Sequence, residues 1–437
     1  ENEIATAVSG SLPSSFESLL TGMMVNYTPR EAGRSNNATT EKMLVIAQDD
    51  FIPELEPLIT WKRQMGIHTT VVPISEVGAS DATTVYNFVK EYYLQNGITY
   101  LLLVGDENAI NPQMRPSGGQ NYSCDNCFGY MDGDDHFPEV FVGRFNASTV
   151  NHVKIMVARN LEYEKNPLVD EQLNWTGTAM ASASNEGQGI GDDNQADFQH
   201  ANALKEQHLA DGYEKVWEFY DGDHTAISPT PGDESADQAG NPINTSLVQL
   251  MNNRGVSLYN YTGHGWEQGL ASGNFNTDAV AQMRNNGRYP ILIAVACCAG
   301  NFTNNGAGDC LGEAWQRAGD AGVGQPWGGI AGFFSSDFQS WAPPMEGQDG
   351  MNQFLVDADG ITLRPSIGSM LSYGNALMIA AYDQGGEVMA DFWNPFAEPS
   401  TVPRTRLPQP LVASHQAGLF IGTSSITVNS GVEGALV

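Results

Sequence analysis

VSLYNYTGHGW (256–266) and ILIAVACCAGNF (291–302) are the two stretches whose reading decides the fold. Each opens as an apolar, β-branched run with the length of a strand buried in a parallel sheet. The first runs out into Gly263-His264-Gly265, the second into Cys297-Cys298. Between them, NTDAVAQMRNNG (276–287) reads as one helix, with Asn276 or Thr277 as N-cap and Gly287 as its stop. A strand–helix–strand crossover is nearly always right-handed and sets its strands parallel in one sheet. His264 and Cys297 are then expected together at the carboxyl-end edge, where open α/β sheets carry their reactive groups. An imidazole beside a thiol is the minimal equipment for covalent catalysis by cysteine.

The rest of the composition narrows the class. A chain of 437 residues supports two or three domains, and 41% hydrophobic content suits globular cores. Its 20 Lys+Arg against 51 Asp+Glu give a net charge of −31. That surface repels nucleic acid and anionic membranes and attracts cations or basic peptides; solubility in a salty medium is the plainer explanation. No run approaches the ~18 apolar residues of a membrane span. The chain opens with Glu1 rather than Met, which points to a signal or pro-segment ahead of it. Five cysteines leave at least one unpaired within the chain. Cys124 and Cys127 form a lone CxxC, read as a small local disulfide. Cys310, opening a helix in DCLGEAW, reads as a buried free thiol.

Residues 1–41 read as an extended lead-in, rich in Ser, Asn, Thr and Gly. Strand–helix alternation follows: KMLVIA (42–47), HTTVVPI (68–74), YLLLVGD (100–106) and VFVGRF (140–145) as strands, with helices between and after them. A second unit opens at TGTAMASAS (176–184) and continues through the helix DFQHANALKEQHLADG, the strand KVWEFYD and a helix through SLVQLMNNRG. The His264 and Cys297 strands come next, then a helix in LGEAWQRAG and a strand in GIAGFFSSD (329–337). After a Pro-rich stretch, LVASHQAGLFIGTSSITVNS alternates like antiparallel β-structure but is too short for a sandwich of ~100 residues.

YTGHG followed by VAC-x-x-G-x-F, with GDCLGEA beyond, resembles the gingipains, secreted cysteine endopeptidases with caspase-like halves. YTP (27–29), LLLVGD, PEVFVGRF, DFQH and QSWAPPM-x-GQD add to a resemblance covering about residues 27–437, and the arginine-specific branch is nearer than the lysine-specific one. It implies an α/β fold of two caspase-like, open, mainly parallel-sheet subdomains flanked by helices (42–170 and 171–402). These follow an N-terminal extension (1–41, a candidate pro-segment remnant) and precede the truncated start of an all-β immunoglobulin-like domain (403–437).

The same resemblance implies roles. The nucleophile lies five positions before Phe302 and 33 after His264, which is Cys297; side-chain alternation along a strand then turns Cys298 away as a packing residue. Gly265 can bring its amide to the oxyanion, having no Cβ in the way. Glu186, in ASASNEG, matches the acid that orients the histidine; on its own it reads as a solvated loop glutamate. Asp197, in ADFQH, matches the S1 aspartate that pairs with the substrate guanidinium, although a helix N-cap is the bland alternative. Trp341 and Met345 match the walls of that pocket and Gln339 a nearby polar group. No catalytic cofactor is implied, but structural Ca²⁺ is; Asp132, Asp134, Asp135 and Glu139 are candidate ligands, against a simple Asp/Gly-rich turn. The implied partners are protein or peptide substrates with arginine at P1, in a secreted or cell-surface setting. The chain's own N-terminal segment is a further candidate substrate, cut after Arg30 or Arg34. Residues 1–26 and the long acidic segment 221–245 depart from the family pattern, and the charge suggests a saline habitat. An inactive caspase-like binding scaffold and a transamidase of the same fold are the competing readings.

Overall fold

The computed structural model describes residues 13–23, 41–222, 243–303, 308–356, 365–416, 418 and 426–431. Two sheets organise it. The first has four parallel strands in the order β2-β1-β3-β6: β1 (Lys42–Ala47), β2 (His68–Pro73), β3 (Tyr100–Val104) and β6 (Phe141–Phe145). Between its third and fourth strands lies a hairpin of β4 (Gln113–Ser117) and β5 (Gln120–Cys124). β3 and β6 are buried along their whole length, as the unbroken apolar run YLLLV foretells.

The second sheet has six strands in the order β17-β16-β13-β9-β7-β8. They are β7 (Thr178–Ala183), β8 (Lys215–Tyr220), β9 (Leu258–Thr262), β13 (Ile291–Val295), β16 (Ala331–Ser335) and β17 (Trp393–Ala397). All pair in parallel except β17, which runs antiparallel to β16. The alternation therefore predicts the parallel strands and the mainly parallel architecture correctly, and the neighbouring placement of β9 and β13 with it, while the β4–β5 hairpin and the antiparallel β17 were not foreseen.

Three expectations are corrected. The crossover from β9 to β13 is not one long helix. It is a small antiparallel sheet of β10 (Gly265–Trp266), β11 (Gly269–Leu270) and β12 (Phe275–Asn276), then a helix of only Thr277–Ala281. Asn276 caps that helix, its side chain accepting from the Ala279 amide. The chain leaves the helix because Asn285 is wholly buried and clasps Gly328, giving 2.8 Å to its carbonyl and taking 3.0 Å from its amide. Tertiary bonding overrides local helix propensity there.

The lead-in is not wholly extended, since Ser14–Met23 is helical. Phe16 stacks on Phe141 at 4.2 Å, and Leu19 is buried, so the apolar residues of this stretch find a home in the core. Arg30 and Arg34 lie outside the described residues, as does most of the segment 221–245. A helical layer at Ala342–Val356, Ile367–Tyr382 and Gln384–Phe392 was not foreseen. Its glycines weaken the helical signal but permit contact: a Cβ on Gly374 would lie 2.4 Å from the Gly347 carbonyl. In 403–437 the described residues hold one antiparallel pairing, Ser414–His415 with Val428–Asn429.

The two sheets meet where β6 lies beside β17. Gly143 is glycine because a Cβ there would sit 2.4 Å from the Ala397 carbonyl. Buried polar groups lock the seam. Arg144 forks onto Asp125 at 2.6 and 2.7 Å, and the Asp125 amide donates to Asn394 at 2.8 Å. The expected Cys124–Cys127 disulfide is formed around this turn, and Asn126 within it donates to the Ala390 and Trp393 carbonyls. Lys62 bridges Glu164 (2.7 Å) and Glu398 (2.5 Å), all three nearly or fully inaccessible.

Removing the cation from that trio leaves two carboxylates buried together. Lys62→Met is expected to cost about 3–5 kcal/mol of stability in equilibrium urea unfolding. A loss under about 1 kcal/mol, the scale of an exposed pair, would contradict the structural role assigned here.

Candidate active site

Register builds the site. Thr262 pairs with Val295 across β9 and β13, so His264 and Cys297 each stand two residues beyond a matched pair of strand ends. Adjacent strands are about 4.8 Å apart, so the two loops leave the sheet side by side. Gly265 seals the approach. A Cβ there would meet the Cys297 carbonyl at 2.7 Å and the Ala296 Cβ at 2.9 Å, so any side chain would push the histidine loop off the cysteine loop. Asp197, Gly263, His264, Cys297, Phe338, Gln339 and Trp341 line one cleft.

The two cysteines diverge as expected, but for a different reason. Both lie past the end of β13, and Cys298 takes a left-handed conformation (φ 59°) with its amide donating 3.0 Å to the Asp337 carbonyl. The turn, rather than strand alternation, buries Cys298, and that burial pushes its thiol up to about 12. Cys297 is partly exposed, and its thiol faces the Gln339 carbonyl at 3.9 Å; burial raises its pKa too. Cys310 is buried and wholly within the core, as read from its segment.

His264 is held at both ends. Its Nε2 bonds Glu186 Oε2 at 3.0 Å, and its own carbonyl accepts from the Tyr261 hydroxyl at 2.6 Å. Tyr261 in turn accepts from the Ser272 amide at 3.1 Å. The sequence offered no sign of this second anchor, because a tyrosine inside YNYTGHG reads as strand packing.

Asp197 is 1% exposed and is the first residue of the helix Asp197–Ala210, with Ala196 in the cap position, so it is not the N-cap. Its carboxylate accepts from the Trp341 indole N–H at 2.8 Å and from the Ser184 hydroxyl. Burial raises its pKa, while these two donors pull it back. Gly187 (φ +82°) makes the arrangement possible: a Cβ there would lie 2.3 Å from the indole nitrogen. Trp341 also meets the His264 ring edge-on, centroids 5.5 Å apart. Gln339 Oε1 takes the Ala296 amide at 2.7 Å and pins the cysteine loop. Met345 is fully buried and does not line the cleft; it backs the 187–196 loop, its sulfur and methyl filling the space where Gly191 has no side chain. Phe338 stands at the rim, 67% exposed.

The carboxylates considered as calcium ligands do not converge as a set of three. Among the described residues, no three of Asp132, Asp134, Asp135 and Glu139 bring oxygens within 4.8 Å of one another. Glu139 instead accepts the Met131 and Asp132 amides at 2.8 and 3.0 Å, and Asp135 the Phe137 amide at 3.0 Å, as a turn demands. A different trio does converge: Asp192, Glu346 and Asp349 lie within that distance, behind the Asp197 loop. Burial and mutual repulsion push Glu346 and Asp349 up to about 7. His200 Nδ1, buried and without a hydrogen-bond partner among the described residues, lies 3.7 Å from Asp349.

The chain as a whole is similar to known proteins. Gingipain R1 from Porphyromonas gingivalis is 30% identical over 96% of this chain, which spans 40% of that relative's length. The crystal structure of an Arg-specific cysteine proteinase, gingipain R, superposes with a TM-score of 0.77 at 31% identity, covering 90% of this chain and 84% of that one. A complex of the pro- and mature domains of the Porphyromonas gingivalis enzyme gives 0.76 at 32% identity, with 86% and 83% covered. The model of Peptidase family C25 matches residues 36–404, from ahead of β1 to beyond β17. That match runs through both sheets and every loop that lines the cleft, and the chain belongs to peptidase family C25.

Proposed function

We propose that this chain is a secreted cysteine endopeptidase that cleaves after arginine. The observation that carries the reading is the buried Asp197 carboxylate at the base of the cleft that also holds Cys297 and His264. Two neutral donors leave its charge uncompensated by any cation among the described residues, and a planar guanidinium can bind such a carboxylate in a fork. The arginine stem would then pass along the Trp341 ring.

With the side chain so placed, the scissile carbonyl comes to Cys297. Glu186 occupies Nε2 of His264, leaving Nδ1 to take the thiol proton as sulfur attacks. The oxyanion would find the amide of Gly265, which packs directly against the cysteine loop. His264 then protonates the leaving amine, and water, deprotonated by the same imidazole, hydrolyses the thioester. Extracellular location is consistent with the Cys124–Cys127 disulfide, since such bonds persist in oxidising surroundings. No helix among the described residues is long and apolar enough to cross a membrane. Arg30 and Arg34 remain candidate sites for self-trimming.

For structural Ca²⁺, Asp192, Glu346 and Asp349 fit better than the residues first considered. Three converging carboxylates offer the hard oxygen ligands calcium requires, and a divalent ion would relieve their repulsion. It would brace the loop between Glu186 and Asp197 and take no part in bond making.

Three outcomes are expected. Iodoacetamide at pH 8 should alkylate Cys297 first, because Cys298 and Cys310 are held far more strongly protonated; peptide mapping that finds Cys298 modified first would reverse the assignment. Asp197→Asn should cost about 2–4 kcal/mol in kcat/KM on arginyl anilides, while wild-type rates on lysyl anilides that equal the arginyl rates would exclude the specificity proposed. Chelation with EGTA should lower Tm by several degrees in the wild type but not in Asp349→Asn; an identical response in both would place calcium elsewhere.

A further inference from the structure

Ser184 stands one residue past β7, where the specificity carboxylate and the histidine-orienting carboxylate come closest through the backbone. Its hydroxyl donates to Asp197 Oδ2 and accepts from the Glu186 amide at 3.1 Å. Its own amide donates 3.0 Å to the carbonyl of Thr262, two residues before His264. A further bond, from the Asp197 amide to the Glu186 carbonyl at 3.1 Å, closes the unit. Ser184 is buried, and a hydroxyl has a single proton. Here that proton is committed to Asp197, so the remaining lone pairs are what Glu186 can use. Trp341 also touches both ends of the site, through Asp197 and the His264 ring, but Ser184 reaches the Glu186 backbone.

We propose that Ser184 is a positioning residue that couples arginine recognition to histidine orientation, by holding Asp197 through its proton and the Glu186 backbone through its oxygen. The proposal rests on the arginine-specific reading above. Without the hydroxyl, Asp197 keeps the Trp341 indole but loses its second donor, and the Glu186 amide loses its acceptor. Burial already favours the protonated form of Asp197, so a lost donor makes it take up a proton at higher pH. The ionisable groups facing Asp197 are His200, from the next turn of its own helix, and His264, from the loop after β9. His200 is held down to about 4 by burial and does not titrate near neutrality. Benzamidine needs the carboxylate and not the imidazole, so its Ki reports on Asp197, while any change at His264 is read in kcat.

The test is competitive inhibition by benzamidine, an amidinium that needs only the S1 carboxylate, against an arginyl anilide at pH 6 and pH 8. Ser184→Ala should raise Ki about tenfold at pH 6, in line with losing a bond to a charged group, and clearly less at pH 8. Its kcat at saturating substrate should fall severalfold, because Glu186 is less firmly held. Ser184→Cys, similar in shape with a weaker donor, should show the same pH-dependent weakening in smaller measure and serves if the alanine variant folds poorly. Unchanged Ki at both pH values would overturn the proposal. So would an equal rise at both accompanied by a lowered Tm, the mark of a purely structural part. A wild-type protein that benzamidine does not inhibit would defeat the arginine reading itself, and this inference with it.

Discussion

The pairing of Thr262 with Val295 in adjacent parallel strands is the constraint on which the site depends. Each chain then needs two residues to clear the sheet, and those residues deliver an imidazole and a thiol to neighbouring loops. A one-residue slip of β9 against β13 would turn every buried side chain of one strand to its other face. Tyr259 and Tyr261, both wholly buried, and the apolar run ILIAV resist that slip on both faces of the sheet. The meeting of imidazole and thiol is therefore a by-product of core packing, and the glycine at 265 lets the two loops close without a side chain between them.

Electrostatics set the second requirement. A carboxylate as deeply buried as Asp197 is stable as an anion only with donors in place, because desolvation favours its neutral form. Ser184 and Trp341 supply two neutral donors, enough to hold the charge in orientation and too few to neutralise it. The exposed Glu186–His264 pair works under different conditions. More than half of each side chain faces solvent, so screening makes the bond a matter of orientation more than of energy.

Much of this is legible in the sequence. Buried parallel strands announce themselves as short apolar runs, and the order of strands and helices implied the doubly wound architecture. An imidazole and a thiol at neighbouring strand ends followed from the strands, and the choice of Cys297 over Cys298 drew on the resemblance as well. Glu186 and Asp197 did not, since a loop glutamate and a helix-start aspartate look the same whether or not they face a cleft. Only resemblance singled them out, and the coordinates place both beside the imidazole and the indole. Ser184 and Tyr261 were missed because a serine at a strand end and a tyrosine within a strand read as packing, although each bonds a residue two or three positions on; the Asp192–Glu346–Asp349 trio was missed because its members are distant in sequence. The helix expected over 276–287 and the unforeseen helices after Trp341 failed for related reasons: a buried asparagine clasp ended one, and glycines used for close packing hid the others.

The account's central claim is that one cleft joins arginine recognition to a single reactive thiol. Labelling with a peptidyl-arginyl chloromethyl ketone, followed by peptide mapping, tests it most directly. The account predicts stoichiometric modification of Cys297 alone, much faster than with the lysyl homologue, and abolished by prior occupancy with an arginyl substrate. Modification of Cys298 or Cys310, or equal rates with the two reagents, would contradict it.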